Sequence, residues 1–254
     1  MNKLIRWGTS LGMIGGTIIG GMLAMTLPAF ALTEAQLLEK LTVVPMFTVT
    51  DASGAPLVAN ITSPDGEDTF SVAGVFVSHA DAEDFIERVQ QGEETSGVQI
   101  TPVSLAEVYS LQRRSDEAEA GLIFQYLPNA DDVNFAVNLL QEAGEEITAE
   151  EFSGVPVFLA RSSADGGYLT VSQGEETVVP AFFDAEALES LIERAEAQND
   201  DLVNTITIQV VNLSGIIATL ENSENTDLEQ LEFIPSQDEI EYIRSLAPAA
   251  TPGE

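Results

Sequence analysis

The sequence predicts an α/β protein of two similar repeats related by a pseudo-twofold axis, and three observations lead to that class. The first is self-similarity: five short motifs recur in unbroken order. Val44-Pro45-Met46-Phe47 returns as Val155-Pro156-Val157-Phe158, and Val75-Phe76-Val77-Ser78 as Ala181-Phe182-Phe183-Asp184. Phe85-Ile86-Glu87-Arg88 returns as Leu191-Ile192-Glu193-Arg194, Ile100–Leu105 as Ile208–Leu213, and Tyr126–Val133 as Phe233–Ile240. The offsets are 111, 106, 106, 108 and 107, a drift that small loop indels explain. The second observation is periodicity: short apolar runs bounded by turn residues alternate with helical stripes. The third is composition. Of 254 residues, 44% are apolar, enough to give each repeat of roughly 110 residues a core.

Each copy reads the same way. A short apolar strand (44–50; 155–160) meets a glycine-containing turn, Asp51-Ala52-Ser53-Gly54 or Ala164-Asp165-Gly166-Gly167, and a second strand follows. That pattern suggests a hairpin. A third strand ends in aromatic residues and runs into a helix capped by Ser78 or Asp184. Ala82, Phe85, Ile86 and Val89 in copy one, and Leu188, Leu191, Ile192 and Ala195 in copy two, fall at i, i+3, i+4 and i+7. Both stripes face a core. A fourth strand (98–103; 204–211) leads into a short helix starting at Ser104 or Asn212, with Ser104 and Glu107 in capping-box spacing. A fifth strand (121–127; 231–234) stops at Pro128 or Pro235 before a last helix, where Ser236 and Glu239 have cap-like spacing. Copy one spans 32–146 and opens with a helix capped at Thr33. Copy two spans 147–248, and 249–254 reads as a frayed tail.

The first 31 residues read as a secretory signal peptide. Lys3 and Arg6 form a basic start, Trp7–Leu27 carries no charge, and Ala29 and Ala31 occupy both positions of an A-x-A cleavage site. Cleavage after Ala31 makes Leu32 the first mature residue. An uncleaved anchor is the alternative, because about 20 uncharged residues span a bilayer. Six glycines within Gly8–Gly21 weigh against it. No cysteine follows the site, so lipid attachment is excluded, and no stable membrane insertion is expected after cleavage. The expected destination is a periplasm, with a thylakoid lumen as the alternative.

The chain holds 42 Asp and Glu against 9 Lys and Arg, a net charge of −33. Copy one holds 21 acids and 4 bases and copy two 21 and 3, so the charge is a solvated coat over both repeats rather than a tail. Such a coat keeps a protein soluble and excludes nucleic acid as a partner. The absence of cysteine removes disulfides, thiolate metal sites and cysteine nucleophiles.

The search for chemistry returns mostly negatives. His79, the one histidine, lies at a helix start and reads as an exposed residue, because the partners of a triad or zinc site are absent. Lys40 reads as a surface residue, and Arg113-Arg114 as a complement to a helix C-terminus. Nucleotide-binding and hydrolase fingerprints are missing. Asp65–Asp68 and Glu221–Asp227 are oxygen-rich loops without EF-hand spacing. No catalytic residue, metal or cofactor is expected, and the chain reads as a non-enzyme. The aromatic residues give the other lead. Phe76, Phe182 and Phe183 sit at strand ends, and Phe135 and Tyr242 lie on the last helices. Core packing is one reading of these five; a partly exposed apolar groove, repeated by symmetry and able to bind a client, is the other.

The residues LTEAQLLEKLTVVPMFTVTDASGAPL at 32–57, VPVF at 155–158, VVPAFFDAEALESLIERA at 178–195 and LEFIPSQDEIEYI at 231–243 resemble the Tic-twenty-two-like family. That family occurs in cyanobacteria and, in plastids, as an intermembrane-space component of the chloroplast inner-envelope translocon. The resemblance covers nearly all of the mature chain, and its motifs are structural rather than catalytic. It implies a periplasmic, chaperone-like protein that escorts unfolded or transported precursors and is tied to outer-membrane biogenesis and the outer-membrane assembly receptor. It also implies apolar client-binding pockets on the two repeats. An envelope adaptor that docks folded partners without binding unfolded clients is the alternative.

Overall fold

Strand β1 (Pro45–Thr50) carries the sequence PMFTVT, whose apolar and β-branched residues suit a strand buried on both faces, and all but its first residue are buried. The computed structural model describes residues 32–63, 69–92, 97–163, 166–173, 176–198, 205–222 and 229–246. The uncharged stretch 7–27, Ala29, Ala31 and the tail 249–254 lie outside them. Among the described residues no helix is long and apolar enough to cross a membrane.

The first sheet contains β1, β2 (Val58–Thr62), β3 (Thr69–Phe76), β4 (Gln99–Ser104) and β5 (Leu122–Leu127). β4 pairs antiparallel with β1 from Pro45↔Ser104 to Thr50↔Gln99. β3 is the hub. It pairs in parallel with β5 from Ser71↔Leu122 to Phe76↔Leu127, and antiparallel with both β1 (Phe47↔Phe76) and β2 (Val58↔Ala73 to Thr62↔Thr69). Because β5 occupies one edge of β3, β1 and β2 follow one another along its other edge. Both run the same way relative to β3, so β2 is not the return arm of a hairpin with β1, as the glycine turn had suggested. The turn closes a local excursion instead. Asp51 Oδ1 accepts the Ser53 and Ala55 N–H groups, Gly54 takes φ of +85°, and a bridge joins Thr50 to Pro56. Leu57 N–H then donates to Val49 O at 2.8 Å, and the chain resumes pairing with β3.

The second sheet repeats this plan with β6 (Pro156–Ser162), β7 (Val171–Gln173), β8 (Glu176–Phe182), β9 (Ile206–Asn212) and β10 (Leu231–Ile234). β9 pairs with β6, β10 lies parallel to β8, and β6 and β7 share the other edge of β8. Bonds outside the ladders recur as well. Leu105 N–H donates to Val44 O and Leu213 N–H to Val155 O, both at 2.9 Å. Val77 N–H meets Leu127 O at 3.1 Å as Phe183 N–H meets Ile234 O at 3.0 Å. The molecule is two similar α/β repeats, as the duplicated motifs require.

The helices are α1 (Glu34–Thr42), α2 (His79–Gly92), α3 (Leu105–Glu117), α4 (Ala130–Glu142), α5 (Ala185–Gln198), α6 (Leu213–Asn222) and α7 (Gln237–Leu246). Their caps follow the sequence. Thr33 and Ser104 form capping boxes with Gln36 and Glu107, Asn129 caps α4, and Ser78 and Asp184 accept from Asp81 and Ala187 N–H.

Successive strand residues point to opposite faces, which sorts the core into three clusters. One is common to both repeats: Met46, Val75, Val157 and Phe183 from the sheets meet Leu37, Leu41, Leu105, Val108, Leu213 and Leu220 from α1, α3 and α6. On the other face of the second sheet, Phe158 and Phe182 lie with Leu188 of α5 and with Val133, Ala136 and Val137 of α4. On the corresponding face of the first sheet, Phe47 and Phe76 lie with Ala82 of α2, and with Tyr242 and Ile243 of α7. Each repeat thus lends its last helix to the other. The apolar stripe of α4 at positions 133, 136 and 137 covers the second sheet, and α7 covers the first.

Candidate functional site

The exchanged helices settle where the five sequence candidates stand. Phe76, Phe182 and Phe183 are 5%, 7% and 2% exposed. The alternation of strand residues buries Phe76 under α2 and α7, Phe182 under α4 and α5, and Phe183 in the common cluster. The fold presents no open groove at these three rings. Phe135 and Tyr242 are half-buried seals of the exchange: Phe135 stands edge-on to Phe158 at 5.5 Å, and Tyr242 edge-on to Phe47 at 5.5 Å. Ala29 and Ala31 lie outside the described residues, whereas Leu32 is half-buried against the common cluster.

Each exchanged helix is also fastened by a carboxylate. Glu239 of α7 is buried, and its Oε2 accepts the backbone N–H of His79 at 3.1 Å and lies 2.8 Å from His79 Nδ1. The His79 ring stacks on Tyr242 at 4.0 Å. His79 is therefore a junction between the repeats rather than an exposed helix start. Glu239 does not close a capping box with Ser236 because its carboxylate is engaged across that junction. In the other repeat, Asp132 of α4 stands at the matching position, and its Oδ1 accepts the Ala185 N–H at the start of α5 at 3.0 Å. Burial pushes the Asp132 carboxyl up to about 6, helped by the nearby Asp184, Asp131 and Asp81 carboxylates and opposed by the Ala185 bond. Both carboxylates meet a helix N-terminus, where backbone N–H groups and the helix dipole favour negative charge.

One other sequence expectation changes, while Arg114 stands in the last turn of α3 as the complement to its C-terminus. Lys40 is half-buried and donates to Glu229 O at 2.6 Å and Leu231 O at 2.9 Å, tying α1 to β10, and desolvation lowers its pKa. Arg113 donates to Tyr109 Oη at 3.2 Å and lies 3.8 Å from Glu221. Tyr109, Arg113 and Glu221 line a cleft of about 360 Å³ with Leu32, Glu34 and Leu37. A second cleft of about 470 Å³ lies beside the end of α4, lined by Leu139, Leu140, Ile208, Val210 and Arg161. Among the described residues no cluster of three His, Asp or Glu side chains is placed to hold a metal.

Another apolar surface lies on the first sheet. Phe70, Val72 and Phe76 share a face of β3, but α2 and α7 pack on the Phe76 end. Ile61 pairs with Phe70 and Ile123 pairs with Val72, so Ile61, Phe70, Val72 and Ile123 share that face across three strands. Ile61 is 51% and Ile123 40% exposed, and Phe70 and Val72 are half-buried. The sequence signal for it is the alternation Ala59/Ile61 and Phe70/Val72 beside an uncharged run, which the expected hairpin pairs with β1 instead of β3. In the second repeat the matching arm is Val171–Gln173 against Glu176–Val178, short and mostly polar, and Val178 is buried.

These features define a duplicated α/β protein with interlocked repeats, an acidic composition and an apolar sheet face that is partly exposed among the described residues. The chain belongs to the Tic22-like family, whose model matches residues 7–245. Among solved structures it is similar to "Anabaena Tic22 (protein transport)", with 28% identity and a TM-score of 0.74, over 86% of this chain and 100% of that one. Tic22 from Plasmodium falciparum shares the fold, with a TM-score of 0.61 at 19% identity over 83% of this chain and 96% of that one. No curated protein sequence matches.

Proposed function

We propose that this chain is a non-enzymatic, chaperone-like protein of protein transport, which binds unfolded precursors in the periplasm and escorts them toward the outer-membrane assembly receptor. The observation that carries the reading is the apolar face of Ile61, Phe70, Val72 and Ile123, left uncovered in a chain of net charge −33. An apolar patch rimmed by polar surface marks an interaction site, and the acidic coat keeps a loaded complex in solution. The transport description of the Anabaena relative supports the same class. The export signal read from residues 1–31 supports the compartment. The five aromatic candidates Phe76, Phe135, Phe182, Phe183 and Tyr242 serve this function by holding the scaffold rather than by touching the client.

The test is aggregation of an unfolded porin diluted from denaturant in the presence of the purified chain. Suppression at equimolar ratio is expected. Unchanged aggregation at both low and high salt overturns the reading. Retention of one folded envelope protein without any effect on unfolded porin favours an adaptor instead.

A further inference from the structure

We propose that β2 is a docking edge, which accepts an extended client segment of alternating apolar residues, uncharged at its centre and basic at its ends, as an additional strand of the first sheet. The proposal rests on the escort reading and specifies how the client is held. Among the described residues β2 pairs only with β3, and all five of its residues are exposed. The direction of its free groups follows from β3. Ser71 N–H donates to Gly121 O at 2.9 Å, on the β5 side. Main-chain groups alternate sides along a strand, so Phe70 and Val72 turn theirs toward β2. Their partners Ile61 and Ala59 use their own N–H and C=O groups in that ladder. Val58, Asn60 and Thr62 consequently aim theirs outward, away from the sheet.

Among the described residues, nothing on β2 itself blunts this edge. Edge strands are ordinarily short, charged, bulged or broken by proline. Residues 52–64 contain no charge, and β2 contains no proline. The fold itself does not demand this arm, because β7 does the corresponding work with three residues and ends on Gln173 opposite Glu176. A strand added beside β2 would lay alternate side chains next to Ile61 and the apolar face behind it.

Charge identifies the occupant. Asp51 stands before the uncharged run, and the chain as a whole carries a net charge of −33. That pattern suits a strand that is uncharged in the middle and basic at its ends. A second copy of this chain would bring the same acids and a net charge of −33, so pairing of β2 with itself is disfavoured. Strands of an unfolded β-barrel, alternately apolar and polar over about ten residues, have the required pattern.

The experiment uses the full chain and a fluorescent peptide of about ten alternating Val and Thr residues flanked by lysines. Anisotropy should report binding, and hydrogen exchange should slow at the amides of Val58, Asn60 and Thr62. Asn60→Pro removes the central outward donor and leaves the β3 ladder intact, since proline is tolerated where an edge N–H faces solvent. Ile61→Lys removes the apolar neighbour. Each variant should weaken peptide binding about tenfold or more, with melting temperature close to that of the parent chain. Unchanged affinity in folded Ile61→Lys, or no protection of the three amides, overturns the proposal. If porin aggregation is still suppressed in that case, the escort reading stands and only the docking edge falls. Concentration-dependent dimers abolished by Asn60→Pro would make the edge a self-interface and also overturn it.

Discussion

The two repeats share a topology, a set of caps and a loan of one helix each, yet they differ at two corresponding places. At the helix junction, the first repeat places His79 against buried Glu239, with two contacts to one oxygen and a ring stacked on Tyr242. The second places Ala185 against Asp132, with a single bond. At the strand arm, the first repeat has a strand of five residues, β2, all exposed, and the second has a strand of only three residues, β7. The difference teaches that the duplicated core is scaffold, because what is common to both repeats is buried. The departures from symmetry fall on the surface and at the seam, where one copy was free to specialise.

The largest effects should confirm the symmetry. Phe47→Ala and Phe158→Ala remove matching buried rings and should each cost about 3–5 kcal/mol in urea unfolding. Costs that differ by more than about half would show that one repeat carries the other. The seam should then break the symmetry. Glu239→Ala leaves the His79 N–H without its buried acceptor and should cost about 2–3 kcal/mol. Asp132→Ala loses one bond but also a disfavoured charge, and should cost about 1 kcal/mol or less in the same measurement.

A pH series sharpens the comparison. Asp132 takes up its proton near pH 6 when folded, but the unfolded chain does so only near the ordinary value of 3.8. The folded state therefore binds more protons between those limits, and stability from this group rises as pH falls from about 6 to about 4. Asp132→Asn keeps an acceptor for Ala185 N–H without the charge. It should stabilise the protein by about 1 kcal/mol at neutral pH, and the gain should vanish below about pH 4, read by unfolding midpoints across the series. The smallest effect belongs to the apolar face beside the arm, on β5. Ile123→Ser should change stability by less than about 0.5 kcal/mol, because the side chain leaves only an exposed face; a thermal melt checks it.

Much of the fold was legible because duplication and capping are local signals. Thr33–Gln36, Ser104–Glu107 and the Val-Pro strands each announce an element within a few residues. The exchange of α4 and α7 was not legible, since a stripe such as Val133, Ala136 and Val137 shows that a helix is covered but not which sheet covers it. The same limit misplaced the aromatic candidates: strand alternation decides whether Phe76 and Phe182 face solvent or a helix, and that helix comes from the other repeat. Glu239 fitted a local cap in sequence, and only the tertiary fold supplied His79 as a better partner. The uncovered face escaped because β2 was paired, by its turn, with the wrong strand.

The loan of α7 has a consequence for how the chain reaches its final state. The bond between His79 and Glu239 closes a separation of 160 positions, and ordering so long a loop is an entropic cost that must be met before the contact rewards it. As the polypeptide emerges from its N-terminus, β1 and β3 are complete long before their covering helix exists. Phe47 and Phe76 must wait for residues 237–246. Completion of the first sheet is therefore a late event: without α7, Phe47 and Phe76 lack the Tyr242 and Ile243 that pack against them.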